Sequence, residues 1–251
     1  MVKSAAIIFI GTGNYIGFFK EWKRCIDAYF LNDVKKELFV FSDTEVVGEN
    51  VTFNKVEGYK WPWATLYRFK MMLEAKKDLE KFDYVFYVDS DLHPRSDILL
   101  EDLTAGMPLV GVHHPGNFVN PDWYTWEDNK TSSAFIPGDM SDYGPRAVYF
   151  QGCLWGGNSK EVIKLCEELD KLIGKDEELG LVAKWHDESH LNKYLLKNLD
   201  NVHVLPFNYA FPEQKEYEHL TKRHKIKMLH LDKSHDEFEY GIAYANNKRT
   251  T

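Results

Sequence analysis

The stretch YVFYVDSD, residues 84–91, decides the fold class of this 251-residue chain. Its first five residues are β-branched or aromatic, which favours a buried β-strand, and two carboxylates follow without a break. In open α/β sheets, ligands bind beyond the carboxyl ends of the strands. We therefore predict a strand of a mostly parallel sheet that delivers Asp89 and Asp91 to a ligand-binding edge.

Strands and helices alternate on both sides of this stretch. Residues 5–10 form an apolar run that leads into a Gly-Thr-Gly-Asn loop, and residues 18–31 carry apolar side chains at helical spacing. This order predicts an α/β fold with a mostly parallel central sheet flanked by helices in one domain of residues 1–251. Further strands are predicted at 38–41, 109–112 and 147–154 (closed by a Gly156-Gly157 turn), further helices at 63–82, 160–173 and 187–196, and an irregular stretch at 117–142.

Composition excludes some classes of function. The net charge is −8 and no basic stripe is present, so we expect no nucleic-acid partner. The three cysteines form no Cys-x-x-Cys pair, which is typical of a reducing compartment. The apolar run at residues 5–10 is too short for a membrane span or a signal sequence. We therefore expect a soluble, cytoplasmic protein without a membrane span.

Asp89 and Asp91 form the first candidate site. Side chains two residues apart in an extended chain point the same way, so the two carboxylates are placed to share one hard divalent cation. A solvated turn is the plain alternative. The pair also resembles the start of haloacid-dehalogenase-type phosphatases, in which the first Asp is a nucleophile. Those enzymes place it near the chain start and follow the pair with Thr or Val, whereas His93 stands here.

The stretch WHDESH, residues 185–190, is the second candidate site. Its two histidines are four residues apart, as on one face of a zinc-binding helix, but no third ligand is evident. Helix capping accounts for one of Asp187 and Glu188, and leaves the other unexplained. The stretch HHPG, residues 113–116, follows a predicted strand and is equally well explained as a Pro-Gly turn.

Five motifs occur in one order along the chain: VDSD (88–91), HPG (114–116), AFIP (134–137), YFQGCLWGG (149–157) and WHDESHLNKYLL (185–196). Together they resemble the family six glycosyltransferases, which include the ABO blood-group transferases, the α-1,3-galactosyltransferases and Forssman synthase. The resemblance covers roughly residues 5–235 and implies the GT-A fold, without the membrane anchor of the vertebrate members. It implies a mainly nucleotide-binding part at 1–95, a mainly acceptor-binding and catalytic part at 96–232, and a mobile tail at 233–251.

The resemblance also implies a reaction and its residues. The family transfers galactose or N-acetylgalactosamine from a UDP-sugar to a glycan acceptor with retention, and Mn²⁺ (or Mg²⁺) would bind Asp89 and Asp91. Glu188 matches the proposed catalytic nucleophile, although retention also permits attack from the leaving-group face. Donor contacts are implied at Ile10, Thr12, Tyr15, Arg68, Ser90, Gln151, Cys153, Asp187 and Lys233, and acceptor contacts at His114, Thr125 and Trp185.

The chain departs from the family pattern at three places. Pro212 stands where the family has an acidic acceptor contact, and residues 125–129 read TWEDN in place of a motif with two arginines. In the tail, Glu239 replaces a basic residue, with Lys248 and Arg249 as possible substitutes. The acceptor therefore stays open.

Gln151 and Cys153 carry the prediction about the donor. In the family these two positions face the substituent at C2 of the donor sugar, and N-acetylgalactosamine users tend to place glycine at the second one. A cysteine there crowds an acetamido group. We therefore expect UDP-galactose first, UDP-glucose second and UDP-N-acetylgalactosamine last. The alternatives are that Cys153 points into the core and that the protein binds carbohydrate without turnover.

Overall fold

The computed structural model describes residues 2–233. Within these residues, ten strands form a seven-stranded sheet in the order β3-β2-β1-β4-β7-β6-β8 and a three-stranded sheet in the order β5-β10-β9. In the large sheet only β7 runs antiparallel to its neighbours, which confirms the predicted mostly parallel α/β fold. Strands β1 to β10 span Ser4–Ile10, Lys35–Ser42, Val51–Lys55, Tyr84–Val88, Leu92–Pro94, Leu109–His113, Phe150–Asn158, Val202–Leu205, Phe211–Pro212 and Met228–His230.

Helices cover both faces of the large sheet. Among the described residues, no helix is both long enough and apolar enough to cross a bilayer. Helices α1 to α8 span Phe19–Tyr29, Trp63–Leu66, Arg68–Glu74, Lys76–Leu79, Leu100–Thr104, Pro115–Val119, Ser159–Glu178 and His186–Lys197. Short 3₁₀ helices span Gly13–Phe18, Met140–Tyr143, Leu199–Asn201, Phe207–Tyr209 and Lys215–Lys222.

The apolar run of β1 explains why both faces are covered. Side chains of a strand alternate between the two faces of its sheet, so a run without polar residues must be buried on both. Ala6 and Ile8 lie in a core cluster with residues of α3 and α7, whereas Ile7 lies in a second cluster with Trp22 and Ile26 of α1. Helix α1 is amphipathic, and its apolar face supplies this second layer.

Three predicted elements differ from the observed ones. The helix predicted at 63–82 is three short helices, broken at Tyr67 and Ala75, where neither Gly nor Pro marks the break. The last predicted strand begins three residues later, at Phe150. Gly156 and Gly157 are not a turn: they lie inside β7, where a Cβ on Gly156 would sit 2.4 Å from the carbonyl oxygen of Val85. They permit close strand contact.

The topology collects polar side chains at one edge of the large sheet. The parallel strands β1, β2 and β4 end there, and antiparallel β7 begins there. The three-stranded sheet returns the end of the described chain to this edge, where the backbone N–H of Leu231 donates to the carbonyl oxygen of Asp91 at 2.9 Å. This edge is therefore the place where residues distant in sequence meet.

Candidate active site

A cavity of about 540 Å³ opens at this edge of the sheet. It also receives residues that the sequence did not single out, among them Asp43, Trp61 and His230. Most predicted site residues line it, whereas His114 and Thr125 do not: the lining set includes Ile10, Thr12, Tyr15, Arg68, Asp89, Ser90, Asp91, Gln151, Cys153, Trp185, Asp187, Glu188 and Lys233.

Asp89 and Asp91 lie at the floor of the cavity. Asp91 is fully buried, its Oδ2 contacts the ammonium of Lys233, and its Oδ1 has no hydrogen-bond partner. Asp89 Oδ1 accepts a hydrogen bond from the Tyr87 hydroxyl at 2.9 Å. A ring nitrogen of His230 and one carboxylate oxygen from each Asp lie within 4.8 Å of one another.

This set of side chains fits a hard divalent cation. Asp91 Oδ1 is a buried carboxylate oxygen that forms no hydrogen bond and has the His230 ring as an ion-pair neighbour at 3.3 Å, and a bound cation would stabilise such an atom further. Carboxylates suit Mg²⁺ and Mn²⁺, and an imidazole is a further acceptable ligand for Mn²⁺. Asp89 and Asp91 are therefore the residues that would hold the ion.

Glu188 is held from two sides at the start of α8. Its Oε1 accepts a 2.6 Å hydrogen bond from the Tyr149 hydroxyl, and its Oε2 accepts a 2.8 Å bond from the backbone N–H of Gly152. Burial raises the pKa of the Glu188 carboxyl to about 7, although both hydrogen bonds favour the ionised form. The carboxylate is thus oriented and poised to titrate near neutrality.

Asp187 forms a buried ion pair beside Glu188. Its Oδ2 lies 3.1 Å from Arg68 Nε, and burial raises the pKa of its carboxyl to about 6 against the opposing effect of Arg68. Arg68 also donates to the carbonyl oxygen of Gly152 at 3.0 Å and stacks 4.5 Å from the centre of the Tyr87 ring. The Gly152 peptide therefore links the Arg68–Asp187 pair to Glu188.

Of the three predicted acceptor residues, Trp185 lines the cavity, while Thr125 and His114 contact residues that belong to the site. Trp185 is 38% exposed, and its indole N–H donates to the hydroxyl of Thr125. The His114 ring accepts a 3.0 Å hydrogen bond from the backbone N–H of Gly116. It also packs 5.4 Å from the ring of Tyr149, the residue that contacts Glu188. Burial lowers the pKa of His114 to about 3, so this ring is neutral at physiological pH.

The two predicted donor-selecting residues have different surroundings. Gln151 Nε2 lies 3.0 Å from His230 Nδ1, so part of its hydrogen-bonding capacity is engaged inside the protein. Cys153 is 2% exposed and belongs to the apolar cluster that contains Phe9 and Val88, yet its atoms also line the cavity. Its thiol therefore lies at the boundary between core and cavity.

The histidines of WHDESH do not form a zinc site. His190 is buried with Nε2 3.7 Å from Asp176, whereas the His186 ring packs 4.6 Å from the ring of Trp61. Neither belongs to the two groups of potential metal ligands found among residues 2–233, which are Asp89, Asp91, His230 and Glu21, Cys25, His93. A positive φ of 51° at His186 lets α8 begin with both carboxylates in its first turn.

Two contributors to the site had little sequence signal. Tyr149 precedes β7 in an aromatic pair that indicates only core packing, and His230 ends a three-residue strand without any periodic pattern. The tail that is predicted to be mobile begins at Lys233. Lys233 Nζ lies 4.9 Å above the Tyr15 ring, while residues 234–251, including Glu239, Lys248 and Arg249, lie outside the described residues.

A mostly parallel sheet with one acidic pair at the carboxyl ends of its strands and a second acidic pair in the same cavity is the arrangement expected of a glycosyltransferase with the GT-A fold. Residues 4–239 match the sequence model of glycosyltransferase family 6, and the chain belongs to this family. The match covers nearly the whole chain, and it excludes the phosphatase alternative.

Relatives from bacteria and animals agree with this assignment. The chain is 29% identical to the O-antigen biosynthesis glycosyltransferase WbnI of Escherichia coli, over 83% of this chain and 88% of the relative. It is 29% identical to rat histo-blood group ABO system transferase 2, over 72% of this chain and 56% of the relative. The mouse globoside α-1,3-N-acetylgalactosaminyltransferase 1 is 26% identical, over 81% and 59%. The chain thus spans little more than half the length of these animal relatives.

Proposed function

We propose that this protein is a metal-dependent, retaining hexosyltransferase that moves a hexose from a UDP-sugar to a sugar hydroxyl, forming an α-1,3 linkage. The observation that supports this most is the meeting of two acidic pairs, Asp89–Asp91 and Asp187–Glu188, in one cavity. The names of animal relatives in the family support the linkage. We also propose that residues 1–251 form one catalytic domain with a nucleotide-binding part at 1–95.

The donor would bind along the carboxyl edge of the sheet. Tyr15, Thr12 and Ile10 line one end of the cavity, where an aromatic ring and backbone groups suit a uracil base. Lys233 lies between the Tyr15 ring and Asp91, a position from which its ammonium reaches a diphosphate. Asp89 and Asp91 would hold a divalent cation beside the diphosphate, and the chemistry that such an ion would supply is neutralisation of the charge that develops on the leaving group.

Glu188 would act at the anomeric carbon. In the transfer, the bond between C1 of the sugar and the UDP oxygen breaks, and its electron pair leaves with UDP. The Tyr149 and Gly152 hydrogen bonds hold the Glu188 carboxylate in one orientation. From there it would either attack C1, forming a glycosyl ester that the acceptor hydroxyl then displaces, or stabilise the positive charge while the acceptor hydroxyl attacks from the side that UDP leaves. On either route the new bond joins C1 to the acceptor oxygen, and the proton of the acceptor hydroxyl passes to the departing diphosphate. Asp187, anchored by Arg68, accepts hydrogen bonds from sugar hydroxyls.

Release of UDP from three UDP-sugars tests this function. Wild-type protein should release UDP from UDP-galactose with Mn²⁺ and a galactoside acceptor, and excess EDTA should abolish the release. Asp91→Asn and Glu188→Gln, which nearly keep the shape of the site, should release UDP at least about 100-fold more slowly. Glycan binding without UDP release from any of the three donors would instead support the carbohydrate-binding alternative.

The same assay decides the choice of donor. Cys153 adds bulk at the cavity wall, and overfilling a packed pocket costs about 1–3 kcal/mol, or roughly 5- to 150-fold in rate. The kcat/KM values should therefore fall in the order UDP-galactose, UDP-glucose, UDP-N-acetylgalactosamine. Cys153→Gly should shift the ratio toward the N-acetyl sugar. A wild type that prefers UDP-N-acetylgalactosamine contradicts the steric argument.

A further inference from the structure

His230 approaches the acidic pair from the second sheet. It is the last residue of β10, and its ring Nε2 lies 3.3 Å from Asp91 Oδ1, the buried oxygen without a hydrogen-bond partner. Lys233 contacts the other oxygen of the same carboxylate. The two faces of Asp91 therefore have different neighbours, and the face toward His230 also includes a carboxylate oxygen of Asp89 within 4.8 Å.

Gln151 contacts the His230 ring on the side that faces away from Asp91 and so fixes the orientation of the ring. Its side-chain amide lies 3.0 Å from Nδ1, the nitrogen that points away from Asp91, and its Oε1 is buried without a partner. Turning the amide by half a rotation places Oε1 against Nδ1, where it accepts the Nδ1–H. That tautomer leaves a lone pair on Nε2, facing the two carboxylates. Histidines that bind metals usually donate their other N–H to such an oxygen.

We propose that His230 Nε2 is a third protein ligand for the divalent cation held by Asp89 and Asp91, and that Gln151 is its positioning residue. The inference rests on the proposed metal-dependent function and adds a ligand to it. Two carboxylates balance the charge of a divalent ion, and a neutral imidazole adds a ligand without further negative charge to repel a diphosphate. A nitrogen ligand also favours Mn²⁺ over Mg²⁺, which prefers oxygen.

The test measures Mn²⁺ binding by the full chain without donor. Pulsed EPR of the wild-type protein with Mn²⁺ alone should show coupling to an imidazole ¹⁴N, and this measurement needs no variant. His230→Gln should lose the coupling and bind Mn²⁺ at least about 10-fold more weakly, measured from the EPR signal of free Mn²⁺. Gln151→Leu should keep the coupling and weaken binding by about 10-fold.

His219→Gln is the matched control, because His219 is an exposed histidine in the 3₁₀ helix Lys215–Lys222 and does not line the cavity. It should bind Mn²⁺ as the wild type does.

Absence of ¹⁴N coupling in the wild type, or unchanged affinity in a folded His230→Gln protein, overturns the inference. In that case Asp91→Asn still abolishes Mn²⁺ binding and EDTA still abolishes UDP release if the proposed function is correct. A wild type that binds no Mn²⁺ and turns over in EDTA overturns both.

Discussion

The Glu188 carboxylate is costly to ionise because it is buried and lies beside a second carboxylate, that of Asp187. Tyr149 and Gly152 offset part of that cost and fix the direction in which the charge points. Glu188→Gln keeps the shape and removes the charge that faces a developing oxocarbenium ion. We expect kcat to fall by roughly 10²-fold or more with little change in UDP affinity. Steady-state rates and UDP calorimetry check this, and an unchanged kcat reduces Glu188 to a helix-capping residue.

The same carboxylate predicts a dependence on pH. Burial raises the pKa values of Glu188 and Asp187 to about 7 and about 6, and the neighbours titrate together. Because the ionised form is the active one, kcat/KM for the donor should rise with pH along a limb between these values and then level off. A flat profile from about pH 5 to pH 8 contradicts this assignment.

Stability should change in the opposite direction. A carboxyl whose pKa is raised in the folded state binds more protons when folded than when unfolded. The contribution of Glu188 to the free energy of unfolding therefore decreases as the pH rises from the ordinary pKa of a glutamate carboxyl toward about 7. Urea unfolding at pH 5 and pH 8 should show a smaller decrease for Glu188→Gln than for the wild type. An equal decrease in both proteins assigns the titration to other groups.

Strand β7 is the element on which the sheet depends, because it joins β4 to β6 and begins at the cavity. Gly157 has a φ of +139°, and a Cβ there would lie 2.1 Å from the carbonyl oxygen of Pro108. Gly157→Ala should therefore lower the free energy of unfolding by at least about 3 kcal/mol, as a clash combined with backbone strain. Urea denaturation measures the loss.

Gly174 provides the matched control for that variant. It lies inside α7 with open space around its Cα, so Gly174→Ala should raise the free energy of unfolding by about 0.5–1 kcal/mol. If Gly157→Ala likewise does not lower the free energy of unfolding, the close contact between β7 and residue 108 does not constrain the sheet.

Elements with strong local patterns were predictable from the sequence. The apolar runs at β1 and β4 and the amphipathic spacing of α1 and α7 dictated their structure locally. Short strands such as β5, β9 and β10 had no such pattern, because two or three residues cannot display a period. The turn predicted at the glycines of β7 was wrong for a physical reason, because glycine permits both a turn and a close contact between strands.

Across the whole molecule, the site depends on contacts between segments that are far apart in sequence. The acidic pairs were visible as local motifs, so the lining of the cavity by Asp89, Asp91, Asp187 and Glu188 could be anticipated. The approach of His230 to Asp91, and of Tyr149 to Glu188, required the complete topology. Motifs thus identified the charged groups, while the groups that orient them came only from the fold.

The whole molecule should gain stability when the cavity is filled. Four buried or half-buried carboxylates share this space with the cations of Arg68 and Lys233, so acidic groups outnumber these cations. A divalent cation bound by Asp89 and Asp91 would reduce the repulsion between the carboxylates and attract a diphosphate, and by linkage each ligand would raise the affinity for the other. Mn²⁺ and UDP together should therefore stabilise the fold far more than either ligand alone.

At ligand concentrations of 100 times Kd the gain is about 2.7 kcal/mol, which corresponds to a rise in Tm of roughly 5–10 °C for a domain of this size. Thermal unfolding followed by circular dichroism measures it with Mn²⁺, with UDP in EDTA, and with both. Asp91→Asn should lose the joint shift, because the cation then lacks its buried carboxylate. If UDP in EDTA raises Tm as much as UDP with Mn²⁺, the nucleotide binds without the cation, and the acidic pair has another role.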